Sequence, residues 1–311
     1  LAAVADPACA DDYPSRPIKL ILPQPAGGAV DLIARAVADR LSEQMKQPVI
    51  VENMPGANGG LAGGAVARAS ADGYTLMLAV DSNLVINPSL YQNLTYDPFR
   101  DFTPISVIAR LNMVLVANPK VAANNVGEFI ALAKAQPNKL NYAGIGFGTA
   151  MHMGMEMFKF MTKTEINHVS YRGTAPAMTD VVAGVVDVMF TGPPSAKSMS
   201  EGGKLKLLAV ASKQRMPLMP DVPTVNESGV PGYEMGSWFG LLAPAKTPKP
   251  IVDRIAMETS KAVNDPRFGD RMKAQGLQVV GSTPEAMLAT MQTDTKKWSD
   301  LIVATGIKIP Q

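Results

Sequence analysis

The chain has 311 residues, of which 47% are hydrophobic and 18% charged, and its net charge is +2; that length suits one large or two medium domains with a substantial core. No dense Lys/Arg run occurs, so the sequence carries no signature of nucleic-acid binding. No stretch reaches the ~18 apolar residues of a membrane-spanning helix, so no membrane insertion is expected; the longest candidate, Val107 to Ala117, is broken by Arg110 and Asn112.

Ala8-Cys9-Ala10 has the small-x-small form of a signal-peptidase site, so residues 1–12 read either as the remnant of an export signal or as a disordered arm. Cys9 is the single cysteine and cannot form an intrachain disulfide. In "LILPQPAGGAVDLIARAVADRL", Leu20 to Leu22 form a short buried strand that Pro23 and Pro25 stop, since neither has an amide hydrogen to donate. After Gly27-Gly28, Ile33, Val37, Leu41 and Met45 recur at helical spacing. The glycines therefore precede a helix whose first amides lack intrahelical partners. Two readings follow: a tight strand-to-helix turn, or a bare-backbone seat for an anion. Asp31, in the helix's first turn and four residues before Arg35, is expected to pair with that arginine rather than touch a ligand.

A second strand, Val49 to Glu52, leads through glycines into a small-residue helix packing through Leu61, Ala65, Val66 and Ala69. Asp72-Gly73 turns into the strand Tyr74 to Val80, which ends at Asp81-Ser82-Asn83. That polar tip reads either as a ligand contact or as a helix cap. Ile105 to Ala117 is again strand-like. In "LNYAGIGFGTAMHMGMEMFKFM", a strand to Ala143 meets Gly144, Gly146 and Gly148, and a helix opens at Thr149, whose hydroxyl suits either a cap or a ligand oxygen. That helix carries Ala150, Gly154, Met157 and Met161 on one side. The strand Asn167 to Tyr171 then meets Arg172-Gly173-Thr174, and Pro176 marks the first turn of another helix. Alternation of strand and helix throughout argues for parallel sheets flanked by helices.

Enzyme chemistry finds little to build on. The two histidines, His152 and His168, belong to no His-Glu-x-x-His or Cys/His cluster, so no metal and no cofactor is expected. Gly-x-Ser-x-Gly and the phosphate-binding Gly-x-x-x-x-Gly-Lys-Ser/Thr are absent, and "GIGFGTAM" falls short of a dinucleotide fingerprint. A non-catalytic binding module is the reading kept, against an enzyme or a ligand-sensing protein on the same architecture.

Eight blocks in order, "YPSRPIKLILPQPAGGAVDLIAR", "VIVENMPGANGG", "ADGYTLML", "YDPFRDFTPIS", "YAGIGFGTAMHM", "HVSYRGTAPAM", "LKLLAVASKQRMPLMPDVPTVNESG" and "SWFGLLAP", resemble the solute-binding proteins of tripartite tricarboxylate transporters, also called Bug receptors. The resemblance implies a periplasmic, monomeric receptor with the type II periplasmic-binding-protein fold. Each domain would be a mainly parallel α/β sheet flanked by helices, with the ligand cleft between them. Residues 13–108 and 225–311 would form one domain and 109–224 the other. The ligand would be a small carboxylate, and the partner the membrane permease subunits of a tripartite transporter. By the same resemblance, the loop with Gly27 and Gly28 would contact ligand from one domain, and Gly148, Thr149, His152, Tyr171, Arg172 and Gly173 would do so from the other; Ala29 beside the first loop, Ser82 and Asn83 at the polar strand tip, and Thr191 are the further candidate contacts.

Two departures from that family pattern bear on specificity. Gly144 stands where a serine is common, which removes one hydroxyl donor, and Thr191-Gly192-Pro193-Pro194 follows a strand, Val185 to Phe190, where many relatives place an acidic or amide residue. A buried ammonium needs such an acceptor, so the expected ligand is a dicarboxylate lacking an ammonium group. Phe147, Met151 and Met153 either join the core or line an apolar centre that would admit an aromatic acid such as terephthalate.

Overall fold

The computed structural model describes residues 13–308; the segment 1–12, read above as signal remnant or arm, and with it Cys9, lies outside them. Strand β1 (Ile18–Leu22) ends at Pro23, and after an exposed loop helix α1 (Ala29–Met45) buries Ile33, Val37, Leu41 and Met45, the face that the spacing marks out. The order repeats in β2 (Val49–Asn53) with α2 (Gly60–Ala67). Next comes β3 (Thr75–Val80), which runs into one π-helical turn, Ser82–Ile86, and the short α3 (Asn87–Leu90). In register, Leu20 sits beside Val51 and Leu76, making β2, β1 and β3 a parallel block. β10 (Gly236–Pro244) pairs antiparallel with β3, and β4 (Phe102–Asn112) and β11 (Leu277–Val279) complete a sheet ordered β11-β4-β10-β3-β1-β2.

The second sheet, ordered β7-β6-β8-β5-β9, is built from β5 (Val114–Ala117), β6 (Asn141–Ile145), β7 (Asn167–Tyr171), β8 (Val188–Thr191) and β9 (Lys206–Val210). Its strands β6, β7 and β8 are parallel, whereas β5 runs antiparallel to β8 and β9, so each sheet is a parallel block with antiparallel additions. Between the strands lie α4 (Val126–Ala135), α5 (Ala150–Thr162), α6 (Thr174–Ala183) and α7 (Pro193–Glu201). Ala177 and Val181 of α6 and Ala196 of α7 pack on Val114, Val116, Ala143, Met189 and Val210. Alternation along the strands puts Tyr142, Gly144 and His168 on the other face, where the Tyr142 hydroxyl donates to Glu156 of α5 at 2.6 Å.

These elements fall into two units. One holds the described residues up to Ala109 with Trp238–Met272 and Val279–Thr295; the other holds Arg110–Ser237 with Lys273–Gln278 and the described residues from Lys296. The chain thus first passes between units within β4 and returns within β10; residues 225–237, 273–278 and those described from Lys296, assigned above to the first domain, group with the second, and Ala109 groups with the first. The C-terminal part adds α8 (Lys249–Val263), α9 (Pro266–Ala274) and α10 (Pro284–Thr305).

Three local expectations are corrected. Leu61 is 55% exposed, and α2 instead packs through Ala62, Gly63, Gly64 and Val66. The reason is close approach rather than apolar bulk: a Cβ on Gly63 would strike the Tyr96 ring. The strand expected from Val185 starts at Val188, because Gly184 at φ +80° ends α6 in a left-handed turn and leaves Val185 exposed. The stretch Ile105 to Ala117 is two strands, interrupted at Met113.

Candidate functional site

In α/β sheets the carboxyl ends of parallel strands carry the ligand-facing loops. In the first unit Leu22 is level with Asn53, and the amide of Met54 donates to the Leu22 carbonyl at 2.8 Å, stitching the two following loops together. In the second, Ile145 is level with Tyr171, and the Ala143–Met189 pairing brings the end of β8 to the same edge. Helices α5, α6 and α7 all start there, after Thr149, Gly173 and Gly192.

The hydrogen bonds at these edges separate engaged amides from open ones. Gly27, in a left-handed conformation at φ +92°, donates its amide to Asp31 Oδ2 at 3.1 Å. Asp31 also accepts from Arg35 Nε at 3.0 Å, Arg35 Nη2 at 2.9 Å and Asn53 Nδ2 at 3.1 Å, and Asn53 reaches on to the Gln24 carbonyl at 3.0 Å. The Arg35 hydrogen bonds, helped by those from Gly27 and Asn53 and opposed by burial, hold the Asp31 carboxyl down at about 2. Gly27 is therefore tied to its own helix. Gly28, the N-cap of α1, makes no side-chain cap, so the amides of Ala29 and Val30 keep the open donors of a helix start.

Asn83 takes the structural alternative. Its Oδ1 accepts from the Val80 amide at 3.1 Å and its Nδ2 donates to the Asn58 carbonyl at 2.8 Å, while Asn83 and Ser82 are both buried. Gly59, at φ +86°, is required beside it, because any Cβ would strike the Asn83 amide group.

In the second unit, Thr149 caps α5 by accepting from the His152 amide at 3.3 Å, and the Gly148 amide donates to His152 Nδ1, also at 3.3 Å. A bare Nδ1 puts the imidazole proton on Nε2. His152 is 4% exposed, and burial, with His168 beside it, lowers its pKa to about 4. The Tyr171 hydroxyl donates to Asp180 Oδ2 at 2.7 Å, and burial together with that carboxylate pushes it up to about 12. The Gly148 amide and the Tyr171 hydroxyl are thus engaged as donors within the unit, whereas Thr149 Oγ1 and His152 Nδ1 act there only as acceptors, and the Thr149 hydroxyl proton and the His152 Nε2–H have no acceptor among the described residues. Gly173 caps α6 without a side chain, leaving the amides of Thr174 and Ala175 open, and the exposed Arg172 makes no side-chain hydrogen bond or ion pair among the described residues. α7 differs, because Pro193 and Pro194 remove its first two donors. Beside it, Thr191 is fully buried on the α6/α7 face with Oγ1 lacking a hydrogen-bond partner among the described residues. Met153 is core, at 0% exposed, and Phe147 lies edge-on to His152 and His168.

Neutral His152 has a consequence for stability. The unfolded chain takes up this proton below pH 6.5 whereas the folded chain resists it down to about 4, so the residue costs stability as pH falls through that window. In urea titrations at pH 7 and pH 4.5, the native chain is expected to lose about 2 kcal/mol more than His152→Asn. Equal losses would show that His152 titrates normally.

The chain belongs to a receptor family. The description "Tripartite tricarboxylate transporter family receptor" matches residues 33–307. It is 33% identical to protein BugT of Bordetella pertussis over 309 residues, covering 99% of this chain and 95% of that protein. Its fold is that of the R. palustris Rpa4515 structure with adipate, at TM-score 0.85 and 33% identity over 96% of this chain and 100% of that one. It also matches MatC (Rpa3494) from Rhodopseudomonas palustris with bound malate, at TM-score 0.80 and 31% identity over 93% and 100% of the two chains. The chain is accordingly a solute-binding receptor of the Bug type with the two-domain α/β fold of periplasmic binding proteins, and the family is not one of enzymes. No helix among the described residues is long and apolar enough to cross a membrane.

Proposed function

We propose that this receptor works in the periplasm, captures a small organic acid with two carboxylates and no ammonium group, and hands it to the permease of a tripartite transporter. The observation that carries the reading is the pair of uncapped helix starts on the carboxyl ends of parallel strands, α1 at Gly28 and α6 at Gly173. Open amides on a helix dipole, with Arg172 beside one set, offer a carboxylate charge-assisted hydrogen bonds, roughly twice as strong as neutral ones. Adipate and malate, bound to the two relatives, are acids of this class. An ammonium is disfavoured because Asp31 already accepts from Gly27, Arg35 and Asn53, and Thr191 offers no charge.

A thermal-shift screen over mono-, di- and tricarboxylates, aliphatic and aromatic with terephthalate included, and over acidic amino acids tests this. A dicarboxylate at about a hundred times its Kd is expected to add about 2.7 kcal/mol of stability, and mass spectrometry should return it unchanged. Stabilisation by acidic amino acids alone, or by no acid, would refute the reading.

A further inference from the structure

The chain's two histidines lie together, and the function above uses neither. Their ring centroids are 4.6 Å apart. His168 stacks on Tyr142 at 4.9 Å with 15° between planes, and Phe147 closes the group edge-on to both imidazoles. Above this group runs the loop from β6 to α5, where Gly146 and Gly148 take left-handed conformations at φ +69° and +71°. Such a glycine-rich loop has many accessible shapes, and holding one of them needs a specific tie. Two ties meet in His152, whose Nδ1 accepts from the Gly148 amide while its own amide donates to Thr149 Oγ1.

We propose that His152 is a positioning residue for the loop before α5: its bare Nδ1 fixes that loop and withdraws the Gly148 amide from the donors that an acid group can reach. The donors left at this edge are then the Thr149 hydroxyl and the His152 Nε2–H, which the tie holds in place, with the start of α6 and Arg172. The inference rests on the receptor reading above only for its effect on affinity; the tie itself is a property of the unliganded chain.

Three measurements test it, with adipate and L-malate as probes. Nitrogen NMR of the imidazoles at pH 7 should show His152 with a protonated Nε2 and a bare Nδ1. His152→Phe, which keeps a ring but loses the acceptor, should speed exchange of the Gly148 amide at least tenfold and weaken whichever probe binds at least tenfold by calorimetry. His152→Asn, whose carbonyl takes the place of Nδ1, should restore both to within about threefold. A protonated Nδ1 in the native chain, or His152→Phe with unchanged Gly148 exchange, would overturn the assignment even if that variant melts lower. If neither probe binds the native chain, the receptor reading loses support, while the nitrogen and exchange data still decide the role of His152.

Discussion

Ala29→Pro is expected to weaken binding of the cognate dicarboxylate by tenfold or more while leaving the melting temperature within about 2 °C of native. Ala29 is the first residue of α1, the position where proline is best tolerated, because the amide it lacks has no intrahelical partner. Gly28 before it sits at φ −87° and ψ 176°, the extended conformation that a residue preceding proline adopts. The substitution therefore removes one N–H and little else. A hydrogen bond to a charged acceptor contributes about 1.5–3 kcal/mol, which corresponds to a tenfold to hundredfold change in Kd. Thr174→Pro repeats the experiment at α6, where the cap Gly173 is also extended and Thr174 is exposed. Ala29→Ser keeps the amide and should bind as the native chain does, which separates the missing donor from a change of side chain. Isothermal calorimetry showing native affinity in both proline variants would remove the open helix starts from the mechanism.

The contrast between engaged and open amides also marks what the residue order could reveal. The α1 face was legible because Ile33, Val37, Leu41 and Met45 follow the helical period, and because Pro23 and Gly28 punctuate the chain on either side. The Asp31–Arg35 pair was legible for the same local reason, a spacing of four. By contrast, the fate of the Asn83 side chain depends on the Asn58 carbonyl, and the face of α2 depends on the Tyr96 ring, partners fixed only by the tertiary fold. Gly27 and Gly148 are subtler. Their donors are taken by Asp31 and His152, each four residues downstream, yet nothing in residue type says whether such a side chain turns back on the loop or out to a ligand. The receptor family was legible over nearly the whole chain, whereas which amides remain open at each strand edge required coordinates.

Gly144 offers the sharpest test of how the second unit is packed. Its missing hydroxyl, relative to the serine common at that position in the proteins this sequence resembles, is only half of the difference. A Cβ built on Gly144 would fall onto Nε2 of His168 and within 2.6 Å of its Cδ2, so the imidazole occupies the space that a side chain there would need. The ring has little room to retreat, since Tyr142 stacks on it and His152 and Phe147 flank it. Gly144→Ala should therefore destabilise the fold by about 2–3 kcal/mol, the range of an overpacked core position. Alone, His168→Ala should cost about 1 kcal/mol, because the residue is only partly buried and loses mainly its aromatic contacts. In the His168→Ala background the methyl group at 144 no longer meets the imidazole, which supplies its three nearest atoms, and the ordinary preference of a strand for alanine over glycine, about 0.5–1 kcal/mol, takes over. The pair is thus expected to be strongly non-additive, with the second substitution neutral or stabilising once the first is made. Urea titration of the four proteins measures this directly. Additivity to within about 0.5 kcal/mol, the spread typical of independent sites, would mean that the imidazole moves aside freely and that Gly144 is kept for some other reason.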